Sequence, residues 1–304
     1  MNKAILTVAV GKRRDIYTEP EYAGKDYSGF LNCFVYDYTK HCGSGVDVIR
    51  YDALPEGCPP HDVKPYAFKA YALAEVIAMG YKTILWSDAS TYPRRSMEPL
   101  WEKIERDGYW FSNNRFYLGQ WCSDTALQQF GLDRNVALTI PETLGAAYGV
   151  NLDHEGARLF ASEYIRWVKE TDAICGPWTN SDHGASADFR VMGHRHDQTI
   201  ISFLTHSLNL QKTRQPRTNT MSCATSEWYC DDGHYTQWDK MILTNDYARS
   251  STKFSQHASW GYCWPHKSLG CLVCAKADYE NQVAGRSWQS QTPERRGAYT
   301  VVST

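Results

Sequence analysis

No apolar run in the 304 residues comes near the roughly 18–20 that a bilayer-crossing helix requires, so no membrane span is expected. Nor is there an excess of charge of one sign. Lys and Arg number 32 and Asp and Glu 34, a net charge of −2 that gives no global pull toward a polyanion. Nucleic acid is therefore not indicated by charge, although a local nucleobase acceptor is not excluded by it. The opening "MNKAILTVAVGKRR" lacks a signal-peptide pattern, because its basic residues follow the apolar run instead of preceding it. It reads as a first strand, and a cytoplasmic location is expected. With that location the ten scattered cysteines are expected to be reduced thiols. There is no internal repeat and no glycine-rich phosphate loop.

What is present is a core and many aromatics. The chain is 42% hydrophobic, enough for a buried interior, and its 11 Trp, 20 Tyr and 10 Phe suit both packing and a sugar-binding groove. "AILTVAVG" (4–11) and "VDVIRYD" (46–52) read as buried strands. "HDVKPYAFKAYALAEVIAMGY" reads as a helix, with Pro65 in its first turn, Ala70, Leu73, Val76 and Ile77 at helical spacing, and Gly80 just past its end. "YKTILWSDAS" (81–90) then gives a buried strand that ends on Asp88. "SMEPLWEKIERDG", "EGARLFASEYIRWVKE" and "HDQTIISFLTHSL" are further amphipathic helices, the last with Asp197 as its expected N-cap. Strand–helix alternation predicts an α/β fold with a mainly parallel sheet flanked by helices. After about residue 250 the periodicity stops. The expectation is therefore one domain over 1–250 and an irregular, loosely ordered extension over 251–304.

A carboxylate at the carboxyl end of a buried strand stands where open α/β sheets bind ligands, and it can hold a divalent metal that bridges a diphosphate. "TILWSDAS" resembles the strand and Asp-x-Asp element of nucleotide-sugar glycosyltransferases with the GT-A (Rossmann-like) fold. "GHRHDQTIISFL" resembles the Asp-Gln helix start of the retaining family that includes glycogenin and bacterial galactosyltransferases. Asp197 follows Asp88 by 109 positions, in that family's order. The resemblance implies transfer of a sugar from a nucleotide-sugar donor, a UDP-sugar first, to an acceptor hydroxyl. It implies Asp197 and Gln198 as catalytic residues beside the transferred sugar. Retention of configuration rests on that pair alone.

The same resemblance implies donor contacts at Lys69, Asp88, Ser90, Gly149 and Arg195, with Lys69 and Arg195 toward the phosphates. Gly149 and Ala147 stand nearest to the family's Asn-x-Gly, which is absent. "DGYWFSNNRFYLGQWCSD" is the expected wall of an acceptor or sugar pocket, with Trp110, Asn114, Trp121 and Asp124 as candidates. A metal, manganese or magnesium, is implied at Asp88 and Ser90. His234, in "DGHYTQWDK", loosely matches the family's histidine ligand. Ser90 replaces the second acid, so one negative charge is lost and metal binding is expected to be weakened.

Cys263, His266, Cys271 and Cys274 form a C-x2-H-x4-C-x2-C set that could bind zinc, but the spacing is tighter than in common fingers and free thiols are the expected state. Two other readings stay open. One is a sugar nucleotidyltransferase on a related sheet, for which Gly11, Lys12, Arg13 and Arg14 supply basic residues but not repeated glycines. The other is a catalytically inactive sugar-binding protein, which Ser90 would suit.

Overall fold

The computed structural model describes residues 2–10, 28–89, 91–93, 96–213, 243–244, 294–296 and 298–303. In chain order the elements are β1 (Lys3–Val8), α1 (Ser28–His41), β2 (Val46–Tyr51), α2 (Phe68–Ala78), β3 (Thr83–Ser87), β4 (Tyr92–Pro93), α3 (Glu98–Asp107), β5 (Tyr109–Trp110), β6 (Asn113–Tyr117), α4 (Asp124–Phe130), α5 (Arg134–Ala137), β7 (Pro141–Thr143), β8 (Ala147–Asn151), α6 (Glu155–Glu170), α7 (Asp197–Ser207), β9 (Leu243–Thr244), β10 (Glu294–Arg296) and β11 (Tyr299–Ser303). Seven strands form the central sheet in the order β10-β11-β2-β1-β3-β8-β5.

The middle of the sheet, β2-β1-β3, is parallel, and its outer pairings are antiparallel. Following those pairings outward, five of the seven strands (β10, β2, β1, β3 and β5) run in one direction. The architecture is thus the expected α/β sheet, mostly of one strand direction, between helical layers. Both faces are covered, which explains why β1 and β3 read as unbroken apolar runs. Ala4, Leu6, Ile84 and Trp86 join the larger core with Leu73, Val76, Tyr164 and Ile200. Ile5 and Leu85 point the other way, into a core with Phe34, Leu100 and Ile104. Among the described residues no helix is long and apolar enough to cross a membrane.

Three local expectations are corrected. The helix that holds Lys69 begins at Phe68, not at Pro65. Tyr66 has a positive φ of 58°, outside the right-handed helical region, so the chain cannot enter the helix before it. Asp197 is the first residue of α7 and His196 is the cap, with no side-chain capping bond. The Asp197 carboxylate is engaged elsewhere.

The third correction concerns the end of the chain. Residues 251–293 lie outside the described residues, but β10 and β11 add two strands to the sheet. β11 pairs with β2 from Tyr299↔Tyr51 to Ser303↔Asp47, and the rings of Tyr51 and Tyr299 lie 5.2 Å apart. The short run "YTVVS" carries too few periods to read from sequence, and the edge it completes is set by a partner some 250 positions away. A chain stopped after residue 250 should expose the β2 edge, where Val48, Ile49 and Tyr51 are now fully buried. Its melting temperature should fall by more than about 5 °C. An unchanged melting curve would show that the last strands add nothing to the sheet.

Candidate functional site

Alternation along β3 decides which way its last residues face. Trp86 points into the layer of α2, α6 and α7, and Asp88, two residues on, follows it. The indole Nε1 of Trp86 donates to Asp88 Oδ1 at 2.8 Å. From α2 the Lys69 side chain reaches the same point. Its Nζ lies 2.8 Å from Asp88 Oδ1 and 2.8 Å from Asp197 Oδ2, and donates to the Gly145 carbonyl at 3.0 Å. The Lys69 side chain is 3% exposed, Asp197 7% and Asp88 30%. One ammonium therefore joins the end of β3, the start of α7 and the loop before β8.

Burial opposes the charge on Lys69, but Asp197 and then Asp88 outweigh it, and the lysine pKa lies above its ordinary value. The rings of Tyr66 and Trp86, 5.3 and 5.2 Å from Nζ, complete its surroundings. With both carboxylates ionised the trio carries a net charge of −1. The outer oxygen of Asp88, Oδ2, has no partner among the described residues.

Gln198 is fixed by a different contact. The backbone N–H of Gly145 donates to its Oε1 at 2.9 Å. With that oxygen held, the amide nitrogen is aimed in one direction, and it is buried without a partner among the described residues. Gly145 is required here by space. A methyl group on its Cα would sit 2.9 Å from Asp197 Oδ2 and 3.3 Å from Gln198 Cβ, so even alanine would push the pair aside. Arg195 stacks its guanidinium 3.8 Å from the centre of the Trp121 ring. Its backbone N–H donates to the Trp121 carbonyl at 3.1 Å, and Thr199 Oγ1 donates to the same carbonyl at 2.9 Å.

The segment leading into α7 is under backbone strain. His196 holds φ 49° and ψ −114°, a conformation that a residue with a Cβ rarely adopts and that costs ~1–3 kcal/mol. Its Nδ1–H donates to the Ile174 carbonyl at 3.0 Å, and its ring packs edge-on against Trp178 at 4.4 Å. His194, also fully buried, accepts at Nδ1 from the Ser123 backbone N–H at 3.2 Å. Both histidines had no sequence signal beyond their place in "GHRHDQ".

Burial lowers the His194 pKa to about 3, with His196 adding to the shift. Burial lowers His196 to about 4, partly offset by its bond to Ile174. Both are neutral when folded, whereas in the unfolded chain they take up protons below about pH 6.5. Stability should thus be complete above that pH and decline as pH falls from about 6.5 through about 4, by up to ~1.4 kcal/mol per pH unit for each histidine. Denaturant midpoints in His194→Gln should show a shallower acid decline, and an equally steep decline would remove His194 as its source.

The other expected site residues divide between this cluster and elsewhere. The structure brings together Lys69, Asp88, Asp197 and Gln198, with Arg195 and Trp121 beside them. Two are corrected. Gly149 lies in the middle of β8 and faces α3, where a Cβ would meet Ile104 Cδ1 at 2.4 Å. It pairs with Leu85, whose side chain points away from the Lys69 layer. Trp110 is 1% exposed in that same second core, so it packs instead of lining a pocket. Asp124 is 62% exposed and ion-paired to Arg134 at 2.6 Å. The Asn114 side chain, Ser90, His234 and the Cys263, His266, Cys271, Cys274 set lie outside the described residues. Among the described residues, no group of three or more His, Cys, Asp or Glu side chains could hold a metal ion.

No protein-family model matches the sequence, and no curated protein does. Several solved structures align with the chain at low TM-score and low identity. Mouse xyloside xylosyltransferase 1 aligns over 68% of this chain and 82% of its own, with a TM-score of 0.37 and 10% identity. The galactosyltransferase LgtC, in complex with donor and acceptor sugar analogs, aligns over 66% and 70%, with a TM-score of 0.32 and 14% identity. The glycosyltransferase GlyE of Streptococcus pneumoniae TIGR4 aligns over 70% of this chain and 45% of its own, with a TM-score of 0.32 and 10% identity. Each of these three similar proteins is a glycosyltransferase by name.

Proposed function

We propose that the chain is a GT-A-type glycosyltransferase that moves a sugar from a nucleotide-sugar donor, a UDP-sugar first, to an acceptor hydroxyl with retention. The observation that carries this reading is the Lys69 ammonium held 2.8 Å from both Asp88 and Asp197. It joins the two segments that resemble the family's donor-binding strand and its catalytic helix start.

In the reaction the bond between the anomeric carbon and the diphosphate oxygen breaks. The acceptor oxygen bonds to that carbon on the face the diphosphate leaves, and the hydroxyl proton departs with the diphosphate. Lys69 and Arg195 place positive charge near the leaving group, where fixed charge in a partly dry site is most effective. Asp197 supports the positive charge that develops on the sugar. The Gln198 amide, aimed by Gly145, donates to a sugar or leaving-group oxygen. A divalent metal, manganese or magnesium, held by Asp88 with Ser90 and His234, would add positive charge at the diphosphate.

The test is a panel of nucleotide sugars incubated with the protein, with released nucleoside diphosphate measured and products read by mass spectrometry. One donor should be hydrolysed slowly without acceptor, and Asp88→Asn should abolish that turnover while the fold is kept. If every donor binds without turnover, the protein is a sugar binder. If turnover requires pyrophosphate or a nucleoside triphosphate, it is a nucleotidyltransferase.

A further inference from the structure

A run of buried hydroxyls on the far side of β3 from Lys69 has no part in the reading above. By alternation Ser87, the last residue of β3, faces away from Trp86 and toward the second core, which Tyr38 of α1 joins. Tyr38 Oη bonds to Ser87 Oγ, and Ser87 Oγ bonds to Thr91 Oγ1. Thr91 Oγ1 donates to the Asp88 carbonyl at 2.8 Å, and the Thr91 backbone N–H donates to the same oxygen at 2.8 Å. A carbonyl only accepts, so the Thr91 hydroxyl proton is committed to it. Ser87 then donates to Thr91, and Tyr38 donates to Ser87. The three hydroxyls form one head-to-tail chain, in which each bond strengthens the next. All three residues are buried, so a hydroxyl left unbonded there would be costly.

The chain ends on the main chain of the strand-end carboxylate. Asp88 is tied elsewhere as well. Its N–H donates to the Ala146 carbonyl at 2.8 Å, and its Oδ1 accepts from Trp86 and meets Lys69. Its carbonyl is the remaining backbone group, and α1 holds it through Tyr38. A second contact runs the same way, because Leu31 of α1 packs with Ala9 and with Ala89, the residue after Asp88. A carboxylate presents its outer oxygen in one direction only when the backbone that carries it is held by its neighbours. We infer that Tyr38 is a positioning residue for Asp88: through Ser87 and Thr91 its hydroxyl fixes the turn from Asp88 to Thr91 and so aims the carboxylate. Packing alone does not call for that hydroxyl. The Tyr38 ring lies 4.2 Å from the ring of Phe34, a contact that phenylalanine would keep. What Asp88 does for a donor rests on the transferase reading, whereas the hold on the turn does not.

The test uses the full-length protein and Tyr38→Phe, which removes only the hydroxyl at the head of the chain. Hydrogen exchange read by NMR should show the Asp88 and Thr91 amides exchanging about tenfold faster, with the α1 and β1 amides unchanged. Parent-like exchange at Asp88 and Thr91 overturns the inference, and so does faster exchange throughout α1, the mark of a packing defect. If the single variant does not fold, Tyr38→Phe with Ser87→Ala carries the same comparison, because it leaves no hydroxyl unbonded at the break. A second arm measures dissociation constants of UDP-glucose, UDP-galactose and UDP-xylose by calorimetry, in the parent and in Asp88→Asn, each with and without Tyr38→Phe. The tyrosine change should weaken the donor that binds by about tenfold in the parent but by less than about twofold in Asp88→Asn, because it acts through that carboxylate. Equal losses in the two backgrounds overturn the positioning role. If no UDP-sugar binds the parent, the transferase reading is at fault, and the exchange arm still decides what Tyr38 does.

Discussion

Lys69→Met should lower the melting temperature by roughly 10 °C, which corresponds to a loss of about 3–5 kcal/mol when one partner of a buried ion cluster is removed. Methionine keeps nearly the same volume and rotamers on α2, so a cavity is not the cause. The cost lies in the carboxylates left behind. Asp88 and Asp197 both lie 2.8 Å from the present Nζ position, so without the ammonium two like charges would face each other in a mostly dry space. Burial already holds the Asp88 carboxyl above its ordinary value, and loss of the lysine would remove the charge that opposes that rise. Two further outcomes separate this cause from a packing defect. The variant should regain stability on mild acidification, the opposite of the decline expected from the histidines. Adding Asp197→Asn to Lys69→Met should restore part of the melting temperature, because the pair then carries one charge. A single variant that melts like the parent would mean that the ammonium is not needed to hold β3, α7 and the Gly145 loop together.

How much of this arrangement could be read in advance follows from the range of each signal. The helices at 98–107 and 155–170 match their sequence expectations because amphipathic spacing is local. Asp88 was legible because an acid at the end of an apolar strand is unusual, and Asp197 and Gln198 because their segment resembles a family motif. Lys69 was placed near phosphates by resemblance, but its ion pair with Asp197 spans 128 positions and no local pattern encodes it. Tyr66, His196 and Trp178 gave no signal, since positive φ at a tyrosine or histidine is imposed by tertiary packing and not by propensity. Gly149 and Trp110 were misplaced for a related reason. Their positions were taken from order along the chain, while the face each presents depends on the register of β8 against β3 and β5.

Gln198→Ala should reduce sugar transfer a hundredfold or more while the melting temperature moves by only a few degrees. Its side chain makes one described hydrogen bond, from the Gly145 N–H at 2.9 Å, and losing such a bond costs about 1 kcal/mol. The effect on turnover should be far larger, because a pre-aimed amide that meets charge developing in the transition state acts where little reorganisation is needed. Asp197 cannot give so clean a result. As the first residue of α7, without a capping bond, its carboxylate is spent on Lys69, so Asp197→Ser should lower stability and activity together. Gln198 lies outside the ion trio and escapes that coupling. The decisive measurement is kcat for Gln198→Ala and Gln198→Glu against the parent. Glutamate can no longer accept and donate as the amide does, and it adds a second negative charge beside Asp197, so it should not rescue turnover. Parent-like kcat in the alanine variant would show that the amide is only a strut for the Gly145 loop. The retaining assignment, which depends on the Asp197 and Gln198 pair, would fall with it.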